Sequence, residues 1–155
     1  MKERGVVMRV SIVIESVDQD GIKSRSENSA VIYKESDGYR LTYTEDLSGE
    51  GNLTKTTMFL SEAELRIIRR GELVTDFIYG EALTHNTSYE TPFGTIPITL
   101  VTESYEYYDG LHEPETGISI VSSYTLDMGD SLMPPSSMSM NISIKQDKIS
   151  DFEKL

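Results

Sequence analysis

Between Met138 and Lys145 apolar and polar residues alternate at every position, with Met138, Met140, Ile142 and Ile144 on one parity and Ser139, Asn141, Ser143 and Lys145 on the other. Successive side chains of a strand point to opposite faces, so this segment predicts a half-buried β-strand with the first set in a core and the second in water. The same signature recurs at Val6/Met8/Val10/Ile12/Ile14, at Tyr39/Leu41/Tyr43 and at Ile118/Ile120/Tyr124/Leu126. With the intervening turn signals it predicts strands over roughly 5–17, 28–36, 38–46, 54–61, 64–70, 72–79, 83–91, 96–108, 117–128 and 137–147. Asp18-Gln19-Asp20-Gly21 and Ser36-Asp37-Gly38 each supply an Asp and a Gly able to take positive φ, and Arg70-Gly71-Glu72 reads as a tight hairpin. Consecutive strands are therefore antiparallel.

One segment carries two signals. Ser61-Glu62-Ala63-Glu64 has the Ser and Glu spacing of a helical capping box, but the run that follows is short and places Leu65 and Ile67 on one strand face. A strand entered by a turn at Ser61-Glu62 is the preferred reading. Pro134-Pro135 breaks the chain before the last strand, and Asp109-Gly110 with Glu113-Pro114-Glu115 bounds a longer acidic loop. The tail Ser150–Leu155 is read as one helical turn or a frayed end. A meander of about eight to ten antiparallel strands leaves templating edges unless it closes. The expected architecture is an all-β, single antiparallel barrel, with a two-sheet sandwich as the alternative. An interior of that size is either filled by side chains or holds one small ligand.

The length of 155 residues suits one domain spanning 1–155, large enough for a core without disulfides. The absence of Cys removes disulfides, zinc-thiolate sites and thiol nucleophiles. Met1-Lys2-Glu3-Arg4 leads straight into an alternating strand, which is unlike a signal peptide, and no stretch approaches the ~18 apolar residues of a membrane helix. The expected compartment is the cytoplasm. Asn52-Leu53-Thr54, Asn86-Thr87-Ser88 and Asn141-Ile142-Ser143 match the glycosylation pattern and, without secretion, are read as chance. A formal charge of −12 repels phosphate backbones and anionic membranes, so neither nucleic acid nor membrane is an expected partner. Within that acidic field Arg66, Arg69 and Arg70 form a local basic patch.

Candidate chemistry is sparse. His85 and His112 lack paired ligand spacing, and His112-Glu113 with Glu115 reads as a solvated acidic loop, so no metal and no cofactor are expected. No Ser-His-Asp set or carboxylate pair can be assembled from spacing, and Gly49-Glu50-Gly51-Asn52 and Gly94 read as turns, not phosphate cradles. The more informative set is Arg69 or Arg70 with Tyr43, Tyr79, Tyr89 and Tyr124, and with His85 near Tyr89. Nine tyrosines and no tryptophan bring many hydroxyls into a barrel, where each needs a partner. An inward Arg is satisfied either by those hydroxyls or by the carboxylate of an amphipathic ligand. Arg69 and Arg70 point to opposite faces, so at most one faces inward. Tyr105 and Tyr107 share a parity beside acidic residues and, with Tyr108, offer an aromatic surface for a partner protein or a homodimer. Met133, Met138 and Met140 read as adaptable core.

Arg69-Arg70-Gly71, Tyr89-Glu90-Thr91-Pro92-Phe93-Gly94, Thr102 and Gly117-Ile118-Ser119-Ile120 with Tyr124 form a pattern that resembles the bacterial YwiB-like family over nearly the full length. The resemblance implies a small cytoplasmic calycin-type, lipocalin-like barrel and leaves function open. The reading as a whole is a non-enzymatic module binding a small, partly apolar or anionic molecule. The alternative is an interaction or homodimerisation module that uses an acidic, Tyr-rich outer face.

Overall fold

The computed structural model describes residues 7–47, 49–113, 116–129 and 134–147. Ten strands follow one another: β1 (Val7–Asp18), β2 (Lys23–Glu35), β3 (Gly38–Glu45), β4 (Thr54–Leu60), β5 (Glu64–Arg70), β6 (Thr75–Gly80), β7 (Thr84–Thr91), β8 (Gly94–Gly110), β9 (Gly117–Asp127) and β10 (Ser136–Gln146). They form one sheet in the order β6-β5-β4-β3-β2-β1-β10-β9-β8-β7, and every pairing is antiparallel. The sheet curls into a nearly closed barrel. Among the described residues no helix is long and apolar enough to cross a membrane. The reading of Ser150–Leu155, Met133 and Pro114-Glu115 falls outside the described residues.

Each predicted strand is present, and the parities are those the alternation requires. Val10, Ile12, Leu41, Ile118, Ile120, Ile142 and Ile144 are almost wholly buried, and Met138 packs against the core they form. Ser61 caps a turn, not a helix: its Oγ accepts the Glu64 N–H at 3.1 Å, and the Ser61 N–H donates to the Glu64 carbonyl at 3.0 Å. The local hydrogen bond of a capping box is made, but the chain leaves it into a ladder with β4 and β6.

The expected Arg70-Gly71-Glu72 hairpin is corrected. β5 ends at Arg70 and β6 starts at Thr75, because Val74 pairs with Glu90 of β7 in place of a β5 partner. This bridge, Val74 N–H to Glu90 O at 3.3 Å and Glu90 N–H to Val74 O at 3.0 Å, is the one ladder-type link across the β6–β7 seam among the described residues. His85 reinforces it, its Nε2 lying 3.0 Å from the Asp76 carbonyl of β6. Farther along, β8 replaces β7 as the partner, with Thr102 N–H donating to Leu83 O at 2.9 Å and Gly80 N–H to Thr102 Oγ1 at 3.3 Å.

β8 contains a bulge. Thr102 pairs with Tyr124 and Ser104 with Ser123, so Glu103 is an extra residue. Before it the buried positions are Ile98, Leu100 and Thr102; after it they follow Tyr105. One inserted residue reverses which parity faces inward. The expectation that Tyr105 and Tyr107 lie on an outer face is therefore wrong. Tyr105 is buried and its hydroxyl donates to Ser61 O at 2.7 Å, Tyr107 packs against the core, and only Tyr108 is exposed, donating to Glu113 at 3.0 Å.

Gly117 opens β9 at φ 69°, and a Cβ there would overlap the Ile144 carbonyl of β10. Both a left-handed backbone and a closely approaching chain require glycine. Gly117→Ala should lower stability to urea unfolding by about 2–4 kcal/mol. A midpoint equal to that of the unaltered protein would show that β10 yields at this point.

Candidate functional site

The interior is not uniformly apolar. Thr54 and Thr56 share the parity of Met58 and Leu60 on β4, and Arg69 shares that of Leu65 and Ile67 on β5, so the pleat carries these polar side chains inward. Tyr43 pairs with Thr56, Thr56 with Arg69, and Arg69 with Thr75, giving a row across β3, β4, β5 and β6. Thr54 lies one inward step from Thr56. Tyr79 and Tyr124 face this row and meet edge to face, with ring centroids 5.0 Å apart.

Arg69 is the centre of the set. Burial pushes the Tyr43 phenol up to about 12, the Glu45 charge adds to that, and Arg69 and Thr56 draw it back. Burial likewise raises Tyr79 well above its ordinary value, with Tyr124 adding to the rise, and it raises Tyr124 itself. The Arg69 charge opposes the rise in both. The Arg69 guanidinium thus meets the Tyr43 phenol and acts through its charge on the two others, the three phenols coming from three strands.

Two features of the belt are unlike an ordinary core. The hydroxyls of Thr54 and Thr75 are buried and have no hydrogen-bond partner among the described residues, while that of Thr56 meets the Tyr43 hydroxyl. Arg69 also has no carboxylate. Arg25, Arg40 and Arg66 pair with Glu15 and Glu27, with Glu35 and with Asp76, whereas Arg9, Arg69 and Arg70 form no ion pair among the described residues. An unsatisfied buried hydroxyl costs roughly 1–3 kcal/mol. Two of them are a sizeable share of the ~5–15 kcal/mol net stability of a domain. Chemically the belt presents hydroxyl and guanidinium donors converging from four strands, and no carboxylate.

The family profile described as Domain of unknown function (DUF1934) matches residues 10–142. The chain belongs to the DUF1934 family. Among solved structures this DUF1934 chain is similar to one described as the crystal structure of ywiB protein from Bacillus subtilis. The TM-score is 0.73 and the identity 19%, over 92% of this chain and 94% of that one. At that identity the likeness speaks for the barrel fold, and it agrees with the YwiB-like resemblance in the motifs. A search of curated proteins gave no match.

Of the residues singled out from sequence, Arg69, Tyr43, Tyr79 and Tyr124 come together in the DUF1934 barrel. Arg70 faces outward and pairs with Lys55 across β4–β5. His85 and Tyr89 share the inward parity of β7, paired with Leu100 and Ile96, but lie beyond the seam from Arg69, where His85 is committed to the Asp76 carbonyl. The three threonines were missed. Their signal was present in Thr54-Lys55-Thr56, where the hydroxyls fall in phase with Met58 and Leu60.

Thr75→Val keeps the shape and removes an unsatisfied hydroxyl, so it should raise the stability of the ligand-free protein by about 1 kcal/mol; a loss of that size in urea unfolding would show that the hydroxyl is satisfied. At alkaline pH the phenols of an unfolded chain ionise near ~10, while Tyr43, and Tyr39 through burial and its bond to Asp109, hold their protons to about 12. The unfolded state then binds fewer protons, so the contribution of these groups is fully present below about pH 10 and stability should fall as pH rises from about 10 to about 12. Ultraviolet titration should resolve a late-ionising class, and a single step near pH 10 with the fold intact would contradict it.

Proposed function

We propose that this protein is a non-enzymatic cytoplasmic binding module that holds a small amphipathic anion inside a calycin-like barrel. Arg69 is the counter-ion, Thr54, Thr56 and Thr75 supply further donors, and the Tyr79/Tyr124 pair meets the apolar part. The observation that carries this reading is the pair of partnerless buried hydroxyls, Thr54 and Thr75, flanking a guanidinium with no carboxylate among the described residues. A group rich in acceptor oxygens, such as a carboxylate or phosphate, satisfies all of them at once, and charge-assisted bonds of this kind are the strong ones. Stability given up at a buried polar site is the usual mark of a site kept for function.

The outer wall supports a protein that works in water. Arg9, Glu15, Asn141 and Lys145 all face outward and are exposed, while the inside is largely apolar, the reverse of a membrane barrel. The interaction reading has lost its basis, since two of its three tyrosines point inward.

Native mass spectrometry of the protein purified gently from cells should show extra mass that disappears on denaturation. Arg69→Met should lose it and Arg70→Met should keep it. An unliganded mass for the unaltered protein, or equal loading of both variants, would overturn the proposal.

A further inference from the structure

The barrel wall is parted between β2 and β3. Their pairing runs from Glu35↔Gly38 to Val31↔Thr42 and stops, although β2 extends back to Lys23 and β3 on to Glu45. Beyond that point, among the described residues, β2 is paired only with β1, and β3 only with β4. The cause is legible in the chain: Lys23-Ser24-Arg25-Ser26-Glu27-Asn28-Ser29 has no apolar residue to draw it onto the core, so it follows β1 outward as a hairpin arm. What remains is a cleft of about 360 Å³. The buried Ala30 and Tyr43 form its floor, and the exposed Arg9, Ser29, Thr44 and Lys55 stand on its rim.

We infer that this cleft is the door through which an anionic ligand reaches Arg69, with Arg9 and Lys55 drawing it in. The inference rests on the interior-site reading above and adds its route. Three observations converge on it. The floor residue Tyr43 is the same phenol that meets Thr56 and Arg69, so one side chain separates cleft from belt. Arg9 and Lys55 form no ion pair among the described residues, and Arg70, also unpaired, neighbours Lys55. Finally, a molecule of charge −12 repels anions over most of its surface, so a cationic rim beside an opening selects where they approach. Attraction of this kind acts on association more than on dissociation.

The test uses 8-anilino-1-naphthalenesulfonate, an amphipathic anion that fluoresces out of water, in stopped-flow mixing with the full chain. The sequence has no Cys, so Thr44→Cys can be alkylated site-specifically with N-benzylmaleimide, and Glu106→Cys, exposed on the outer face of β8, treated identically as control. Alkylation at position 44 should slow association about tenfold or more, and at position 106 leave it unchanged. Arg9→Glu/Lys55→Glu should slow association about tenfold at low salt while changing dissociation less than about twofold. Arg69→Met should weaken affinity. If Arg69→Met loses the signal yet association ignores both the alkylation and the rim variants, the door is wrong and the site stands. If the unaltered protein gives no signal, or Arg69→Met leaves it intact, the interior site is wrong and the door with it.

Discussion

The ladder between β1 and β10 joins Val10 to Gln146 and runs through nine residue pairs to Asp18 and Met138. It brings together the two ends of the meander and turns what would be two exposed edges into the middle of a sheet. Every other pairing is between strands adjacent in sequence, so this one carries the largest loop-closure entropy and is the contact most dependent on the rest being in place. Its register also fixes the inward parity on both sides. Ile12 opposite Ile144 and Ile14 opposite Ile142 place the apolar sets of both strands on one face, and a slip of one residue would bring the serines of β10 into the core.

Against that apolar constraint the belt around Arg69 stands out. A pleat cannot choose which residues it turns inward once register is set, so Thr54, Thr56 and Thr75 are carried into the core by the same geometry that buries Met58, Leu60 and Phe77. Elsewhere the protein satisfies its inward polar groups with care. Tyr39 reaches Asp109 at 2.9 Å, Tyr105 reaches Ser61, and Ser122 donates to Ser104 O at 2.9 Å. The contrast separates the belt from a generally loose interior: satisfaction is the habit of this core, and its exceptions cluster beside one cation.

Strand positions were legible because ten alternating segments separated by turn residues leave few other readings. Antiparallel order and closure followed from edge chemistry. That Arg69 and not Arg70 turns inward was fixed only once Leu65 and Ile67 were seen to be core. The outward reading of Tyr105 and Tyr107 failed because a single extra residue at Glu103 resets the parity, and a parity count carried through an irregularity gives the wrong face. The threonines were passed over because Thr is at home in any strand, and the energetic oddity lies in the missing partners of two of them, which is a property of three dimensions. The cleft depended on where a ladder stops, and pairing length is not encoded in either strand alone.

The seam between β6 and β7 has a consequence of its own. Its two lips are consecutive in the chain, tied by residues 81–83, and are held by one ladder bridge, one histidine and the neighbouring β8. Parting them removes few bonds and separates nothing, since the short tether keeps each lip at high effective concentration for the other. The seam is therefore the line at which a change of girth would cost the fewest bonds, with strand order and register everywhere else left untouched.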